Sequence, residues 1–244
     1  MDKSLDNFFS FLTKKIGRNA VSLVGLNHAI DPRDRLVNKS KFCIKPENTK
    51  EVSVILAEAN QRGIPLIPVG GSTGLVGGQI AEKNDQVSLS LEKMNAISFS
   101  EEDNLLTVQA GAILVNIKRI AFDAGRFFPL SIASAGSCQT GGSLATNAGG
   151  VNVLRYGSAR DLCLGIEAVL PNGNIVSSMK ALKKNNMGFD IKSLLIGSEG
   201  TLAVITAAIL RTFPLPIDPL TTIISVNEPH EALSIFNHMS KIFG

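Results

Sequence analysis

The stretch Pro68–Ile80, PVGGSTGLVGGQI, decides how the rest of the chain is interpreted. Five glycines fall within nine residues, with Ser72 and Thr73 among them. Glycine lacks the Cβ atom that would block a close approach of the backbone, and it tolerates left-handed backbone angles. The preceding apolar run, IPLIPV, predicts a short strand. A glycine-rich loop that follows a strand favours a ligand-binding role, so the question is which ligand approaches it.

The spacing of these glycines excludes two common phosphate-binding motifs. Gly71, Gly74 and Gly77 are three residues apart, whereas GxGxxG needs glycines at i, i+2 and i+5. The P-loop GxxxxGK[ST] is also excluded, because the chain contains no Gly-Lys pair. Both motifs lead directly into a helix, but here QVSLSL alternates like a strand. An anion at this loop would therefore be held by successive backbone N–H groups of the loop itself.

Two further glycine-bearing loops are predicted, over residues 134–150 and 197–201, in addition to the first at 69–78. The second is a long run of small residues, too poor in large apolar groups for a core element. Because each loop lies beside a predicted strand, the pattern indicates one extended ligand lying across several loops. Hydrogen-bonding side chains are available at Ser72, Thr73, Ser137, Thr146 and Asn147. Ordinary turn chemistry accounts instead for Gly63, Gly125 and the hairpin residue Gly173.

The remaining pattern alternates helices and strands and predicts an α+β fold. Asn48 and Glu51 predict a helix start, followed by an apolar face of Val52, Ile55, Leu56 and Ala59. The N-terminal residues Phe8, Phe9, Leu12 and Ile16 have helical spacing and predict a docking helix rather than a targeting peptide. Strands or a hairpin are predicted at NLLTVQAG, LGIEAVLPNGNIVSS and GTLAVIT, and a strand followed by a helix at the end of the chain.

Composition excludes several classes of protein. With 44% hydrophobic and 18% charged residues, the chain can bury a sizeable core. The net charge of +3 is not gathered into a basic run, and one Tyr and no Trp argue against a nucleic-acid surface. The longest uncharged apolar run, Leu202–Leu210, is too short to span a bilayer. Cys43, Cys138 and Cys163 are far apart and near no metal-spaced histidine, which predicts no metal site and buried, reduced thiols in a cytoplasmic protein.

Three ordered segments, PVGGSTGLVGG, GSCQTGGSLATNAGGVNVLRYGS and GSEGTLAVIT, resemble the FAD-linked oxidoreductases of the vanillyl-alcohol oxidase fold, with its PCMH-type FAD-binding domain. Within this fold, the segments are most similar to the branch that contains the D-lactate, glycolate and D-2-hydroxyglutarate dehydrogenases. The resemblance runs from about Lys45 to Pro216. The resemblance implies two α+β subdomains that clasp an extended FAD. It divides the chain into a helical lead-in (1–40), two FAD-binding subdomains (41–100 and 101–216), and the first strand and helix of a truncated substrate-capping domain (217–244).

In this family the first loop wraps the pyrophosphate, the second segment runs toward the flavin ring, and the third motif completes the site. Carried over to this sequence, the resemblance implies these cofactor-binding residues: Val69, Gly70, Gly71, Ser72, Thr73, Gly74, Leu75, Ala135, Gly136, Ser137, Gly141, Gly142, Thr146, Asn147, Gly149, Glu199, Gly200 and Ile205. Ala203 departs from the glycine that many relatives have. None of the loops contains a histidine and Cys138 is the one nearby thiol, so non-covalent FAD is expected.

The groups that would act on a substrate are harder to assign. The resemblance ends near Pro216, before the parts that bind the 2-hydroxy acid in relatives, so the chain is expected to be an amino-terminal fragment. His28, His230 and His238 are interpreted as surface or satisfied histidines, and no catalytic base is nominated. Arg155 and Tyr156 follow the second glycine-bearing loop, and they are expected either to lie near the flavin or to have a structural role.

Two functions remain open. The first is an FAD-dependent dehydrogenase of a D-2-hydroxy acid with an unidentified electron acceptor, completed by further sequence or by a complementing chain that carries the cap. The second is an FAD-binding module without turnover of its own.

Overall fold

The computed structural model describes residues 3–17, 20–182, 188–217 and 220–243. Its first sheet has four strands in the order β1-β2-β4-β3. Strands β2, β4 and β3 are parallel, and β1 pairs antiparallel with β2. Two helices pack on this sheet through one apolar cluster. The elements are α1 (Lys3–Ile16), β1 (Val21–Leu23), β2 (Phe42–Ile44), α2 (Thr49–Arg62), β3 (Leu66–Val69) and β4 (Val87–Ser90).

Local sequence signals position these elements. The Asn48 side chain accepts the N–H of Glu51 at 3.0 Å to begin α2, and Gly63 ends it with φ of 66°. The buried residues of α2 are the predicted apolar face. Helix α1 buries Phe8 and Leu12, so the predicted docking helix is confirmed. The lead-in is not helical throughout, because residues 21–23 form β1 and pair with β2.

The second sheet has five antiparallel strands in the order β5-β6-β10-β8-β9. The predicted hairpin is confirmed as β8 and β9, and the α+β fold class is confirmed with it. Strand β5 is short and was not predicted. The elements are β5 (Ile97–Ser100), β6 (Leu105–Gln109), α3 (Leu114–Asp123), β7 (Arg126–Phe127), α4 (Thr140–Ala145), α5 (Val153–Tyr156), α6 (Ala159–Leu162), β8 (Cys163–Val169), β9 (Ile175–Ser177), α7 (Ile191–Leu195), β10 (Val204–Arg211), β11 (Phe213–Pro214) and α8 (Pro229–Phe243).

Helix α2 joins the two sheets. The Thr49 hydroxyl donates to the Glu167 carboxylate on β8 at 2.5 Å, and Thr206 on β10 donates to the same oxygen at 3.0 Å. The hairpin turn also contacts α2, because Ser53 donates to the carbonyl of Gly173 at 2.5 Å. A Cβ on Gly173 would lie 2.7 Å from the Cβ of Ala57. Gly173 therefore serves helix packing as well as the turn for which the sequence predicted it.

The C-terminal part differs from its prediction. The strand predicted ahead of the last helix is not formed among the described residues, since no neighbouring strand offers it an edge. The predicted helix is present as α8, and Leu233, Phe236, Met239 and Ile242 on it are exposed. No helix in the described part of the chain is long and apolar enough to cross a membrane. All three cysteines are buried and unpaired, as expected.

Candidate functional site

A cavity of about 280 Å³ lies where the three glycine-bearing segments meet. Its walls come from the end of β3, the loop after it, α4, and the turn before β10. Most of the predicted site residues line it: Val69, Gly70, Gly71, Ser72, Thr73, Gly74, Gly141, Gly142, Thr146, Glu199, Gly200 and Ile205. Residues that the sequence did not single out also line it, among them Gln79, Leu91, Ala110, Ile132, Cys138, Gln139 and Val204.

The other predicted site residues do not line the cavity; they are Leu75, Ala135, Gly136, Ser137, Asn147 and Gly149. Several of them hold the walls in place. Asn147 accepts the backbone N–H of Arg160 at 3.0 Å and has a left-handed backbone, with φ of 48°. The carbonyl of Ala135 accepts the N–H of Val115 at 3.0 Å. Gly136 has no other group within 4 Å of the position of an added Cβ.

The second segment is not one continuous loop, which corrects the prediction for residues 134–150. Residues Thr140–Ala145 form α4, although its two glycines are poor helix formers. The helix is stabilised by packing, because Ser143 and Leu144 are buried and a Cβ on Gly141 would lie 2.8 Å from the Cβ of Ala110. Tertiary contact overrides local propensity here. The residues that were interpreted as a loop therefore form a rigid wall of the cavity.

The first loop and α4 face each other through glycines. A Cβ on Gly70 would lie 3.5 Å from the Cα of Gly142, and a Cβ on Gly142 would meet only the Cα of Gly70, at 3.9 Å. The backbones of Gly70 and Gly142 therefore approach each other closely, and both residues line the cavity. Gly71 has a different role, because its Cβ would overlap the carbonyl oxygen of Ser137. This loop-to-loop contact is a second reason for a glycine at position 71, which also lines the cavity. The interpretation of Gly71 as a cofactor-binding residue stays a prediction.

The first loop leaves its backbone donors unused by the protein. Within the described residues, no N–H group of residues 71–76 donates to a protein acceptor. The loop is held instead through its carbonyls: Gln79 donates to Gly74 at 2.9 Å and Arg35 donates to Leu75 at 3.1 Å. Ser72 has a left-handed backbone with φ of 54°, a conformation that costs a non-glycine residue about 1–2 kcal/mol. Successive N–H groups in such a turn form a concave site for an anion.

A segment that the sequence did not assign to the site, residues 26–39, packs against the first loop. It contains a short 3-10 helix, Leu26–His28, and an Asp31 carboxylate that accepts three backbone N–H groups. The side chain of Leu36 lies against Gly77, and Lys39 donates to the carbonyl of Ala81 at 2.9 Å. The Asp-Pro and Arg-Asp pairs at residues 31–34 favour a turn and are the one local signal in this segment. Its docking against the first loop depends on contacts with residues that are distant in sequence.

The histidines and the aromatic pair have structural surroundings. His28 is buried beside the first loop, whereas His230 and His238 are exposed on α8. Tyr156 makes edge contacts with Phe127 and Phe213, at ring-centroid distances of 5.6 and 4.8 Å. Arg155 and Tyr156 do not line the cavity, so the structural interpretation of this pair is favoured.

Charge is sparse at the cavity. Among its described lining residues, Glu199 alone carries a full charge, and no lysine, arginine or histidine is present. The carboxylate of Glu199 approaches Gly78, 3.5 Å from where a Cβ would stand. A phosphate group here would thus rely on the unused N–H groups of the first loop rather than on a cationic side chain.

This geometry agrees with the match to known proteins. A family model described as an FAD binding domain matches residues 40–178, more than half of the 244 residues. The chain belongs to this FAD-binding family. Its cofactor is FAD, and the residues at the cavity fit such a group: an anion cradle of open N–H donors adjoins a cavity wall at Gly70 and Gly142 that carries no side chains. Segment 26–39 lies before the matched region.

Curated relatives belong to one chemical class by name. The D-2-hydroxyglutarate dehydrogenase of Arabidopsis thaliana is 38% identical over 84% of this chain and 39% of its own length. That of Bos taurus is 43% identical over 72% of this chain and 32% of its own length. A Schizosaccharomyces pombe protein named after mitochondrial D-lactate dehydrogenase is 42% identical over 78% of this chain and 38% of its own length. The chain thus spans less than two fifths of the length of these relatives.

Solved structures share the fold at lower identity. Alkyldihydroxyacetonephosphate synthase matches 86% of this chain and 41% of its own, with a TM-score of 0.75 and 22% identity. The grass pollen allergen Phl p 4, which has glucose dehydrogenase activity, matches 86% of this chain and 44% of its own, with a TM-score of 0.72 and 19% identity. These likenesses show the PCMH-type fold alone.

Proposed function

We propose that this chain is the FAD-binding part of an oxidoreductase that oxidises a D-2-hydroxy acid of the lactate, glycolate or 2-hydroxyglutarate type. Family membership and the names of the relatives support the reaction class. The observation that carries the cofactor assignment is the row of unused N–H groups at residues 71–76, at the cavity that Gly70 and Gly142 also line. No cationic side chain among the described lining residues competes for this role.

In this proposal the N–H groups of the first loop bind the pyrophosphate, and the cavity wall at Gly70 and Gly142, which carries no side chains, lets the extended chain of the cofactor lie close to the backbone. Apolar residues at the cavity, among them Leu91, Ile132 and Ile205, exclude water from its inner wall. Two-electron oxidation of the substrate is the chemistry that a bound flavin supplies. The hydroxy acid would lose a hydride from its α-carbon and a proton from its hydroxyl, and would leave as the 2-oxo acid.

A second function is favoured by a specific observation: the described lining residues include no histidine and no cation that could bind a substrate carboxylate. Glu199 is the one charged group there among the described residues. A chain of this kind binds FAD but turns over substrate only when another segment or a complementing chain supplies those groups. Both functions share the FAD site, and they differ in whether substrate reduces the flavin.

Flavin bound to this protein should be released by denaturation, because the cavity offers no histidine for a covalent link. After acid precipitation, the yellow colour should appear in the supernatant with the absorption spectrum of free FAD. The control variant is Cys138→Ser, because Cys138 is the one thiol that lines the cavity. Colour that stays with precipitated wild-type protein and disappears with Cys138→Ser would show a thioether link and contradict the proposal.

The 244-residue chain loaded with FAD should be reduced slowly by D-lactate, glycolate or D-2-hydroxyglutarate. Positioning of the substrate and general-base catalysis each contribute several orders of magnitude, and the described cavity walls supply neither group. Anaerobic stopped-flow absorbance near 450 nm measures the bleaching of the flavin. Rapid bleaching by one acid would support the dehydrogenase without a complementing chain. It would also place the base within this sequence. Reduction by dithionite is the control, because it shows that the bound flavin can be reduced.

A further inference from the structure

His28 connects the first loop to an ion pair. Its side chain is 7% exposed, and its Nδ1 atom lies 2.7 Å from the Ser72 hydroxyl. Its Nε2 atom lies 3.4 Å from an oxygen of Glu92, whose other oxygen binds the Lys45 ammonium at 2.8 Å. Ser72 itself lines the cavity. The buried imidazole is therefore placed between a hydroxyl of the candidate anion site and a carboxylate.

The surrounding contacts keep this imidazole in place. The backbone carbonyl of His28 accepts the side-chain amide of Asn38 at 2.9 Å, and Asn38 also accepts the N–H of Ala81 at 3.2 Å. Glu92 is held from a second direction by the hydroxyl of Ser90, at 3.3 Å. Segment 26–39 and the strand ends thus fix both partners, and the protonation state is the remaining variable of the pair.

Hydrogen-bond polarity follows from the number of protons on the imidazole. In the neutral ring, the carboxylate of Glu92 favours the proton on Nε2, so Nδ1 is an acceptor and takes up the hydroxyl proton of Ser72. Ser72 then presents only lone pairs to the cavity. In the imidazolium both nitrogens donate, Nδ1 donates to the Ser72 oxygen, and the hydroxyl proton is free to point at an anion.

We propose that His28 is a positioning residue whose protonation decides whether the Ser72 hydroxyl can donate to the phosphate of the bound cofactor. This inference rests on the proposed function, since it takes the phosphate to lie at the first loop. Binding of the cofactor should then be linked to uptake of a proton by His28.

The ionisable groups that face His28 from the first sheet do not change charge in the pH range in which histidines commonly do. Partial burial raises the pKa of Glu92, but the bonds from Lys45 and His28 outweigh it and leave the pKa below its ordinary value. The bond to Glu92 raises the pKa of Lys45. Burial raises the pKa of the neighbouring Cys43 thiol to about 11. Between about pH 5.5 and 8.5, where histidines commonly change charge, these three keep their charge states.

Segment 26–39, which carries His28, contributes further charged groups. The N–H of Leu36 is foremost among the backbone donors that hold the pKa of Asp31 below its ordinary value. The other charged side chains of this segment are Arg33, Asp34, Arg35 and Lys39. The loop that carries Ser72 contributes no charged side chain from residue 69 to residue 78. A pH effect on this hydroxyl within that range is therefore assigned to His28.

The direction of the effect follows from linkage. If the complex favours the imidazolium, affinity for FAD is highest at low pH and falls as the pH rises and the ring loses its second proton. One hydrogen bond to a charged phosphate corresponds to about a tenfold change in the dissociation constant. The expected result is thus an approximately tenfold weaker binding at pH 8.5 than at pH 5.5, measured by quenching of flavin fluorescence.

A comparison of wild type with two variants separates the effect of His28 protonation from a general effect of pH on FAD binding. Ser72→Ala should bind FAD with the weak affinity of wild type at high pH, and with no slope. His28→Asn keeps an amide donor near Ser72 at every pH, so its affinity should be high and flat. Wild-type binding that is independent of pH, or a slope that persists in either variant, overturns this inference and leaves the proposed function standing. Absence of FAD binding by folded wild type at every pH overturns both.

A second readout needs no variant. Histidine ¹⁵N chemical shifts distinguish the neutral tautomers from the imidazolium, and the chain contains three histidines. His230 and His238 are exposed on α8 and serve as internal references. Addition of FAD near pH 7.5 should move one histidine, His28, toward the doubly protonated form while the other two stay unchanged. No change in the buried histidine on saturation with FAD would contradict the inference even if the variants fail to fold.

Discussion

Replacing Gly142 with valine should abolish FAD binding while leaving the fold intact. An added Cβ at this position meets only the Cα of Gly70, at 3.9 Å, so the substitution disturbs no protein contact of its own. Gly142 lies inside α4, where valine is a slightly better helix former than glycine. The branched side chain would instead project into the cavity where the cofactor is proposed to lie. We expect the dissociation constant to rise by about a hundredfold or more, because hydrogen bonds to the phosphates are lost together.

Gly136→Val is the matched control for this experiment. Gly136 belongs to the same glycine-bearing segment, does not line the cavity, and has no other group within 4 Å of an added Cβ. Its affinity for FAD should equal that of wild type, as measured by flavin fluorescence titration. Thermal unfolding of both variants without cofactor should match wild type. If Gly142→Val binds FAD normally, the cofactor does not lie against Gly142, and the proposed placement is wrong.

Replacing Gly71 with alanine should remove both stability and FAD binding. The Cβ would overlap the carbonyl oxygen of Ser137, so the two loops must separate. Backbone cannot yield as a flexible side chain does, and we expect a loss of about 3 kcal/mol or more in the free energy of unfolding. Urea unfolding of the cofactor-free protein measures this loss, with Gly142→Ala as a control that should match wild type or exceed it. A Gly71→Ala protein of normal stability that fails to bind FAD would show that the glycine at position 71 serves the ligand rather than the contact between the loops.

Local patterns predicted those elements whose structure depends on near neighbours in the sequence. The apolar face of α2, its cap at Asn48 and its left-handed end at Gly63 were predicted because each rests on residues within a few positions of one another. The strand before the first glycine loop and the strand after it were predicted by composition and alternation. Three ordered glycine segments were sufficient to indicate the cofactor family.

The glycines show that the sequence alone does not predict which role each residue has in the structure. Gly71, Gly142 and Gly173 are alike in the sequence. In the structure, Gly71 touches the backbone of Ser137, Gly142 lines the cavity and Gly173 packs on α2. What distinguishes them is the atom that a Cβ would meet, and in each case that atom belongs to a residue distant in sequence. Only the packing of the two sheets decides this.

The sequence by itself determined the α+β pattern, the three glycine-bearing segments and the absence of a P-loop, because these depend on local spacing and composition. The tertiary structure alone decided that residues 140–145 form a helix, that the N–H groups of residues 71–76 remain open, and that His28 lies against Ser72. The physical reason is the same in each case. Burial and hydrogen-bond satisfaction depend on which distant segments meet, and no local pattern in residues 26–39 or 134–150 records that meeting.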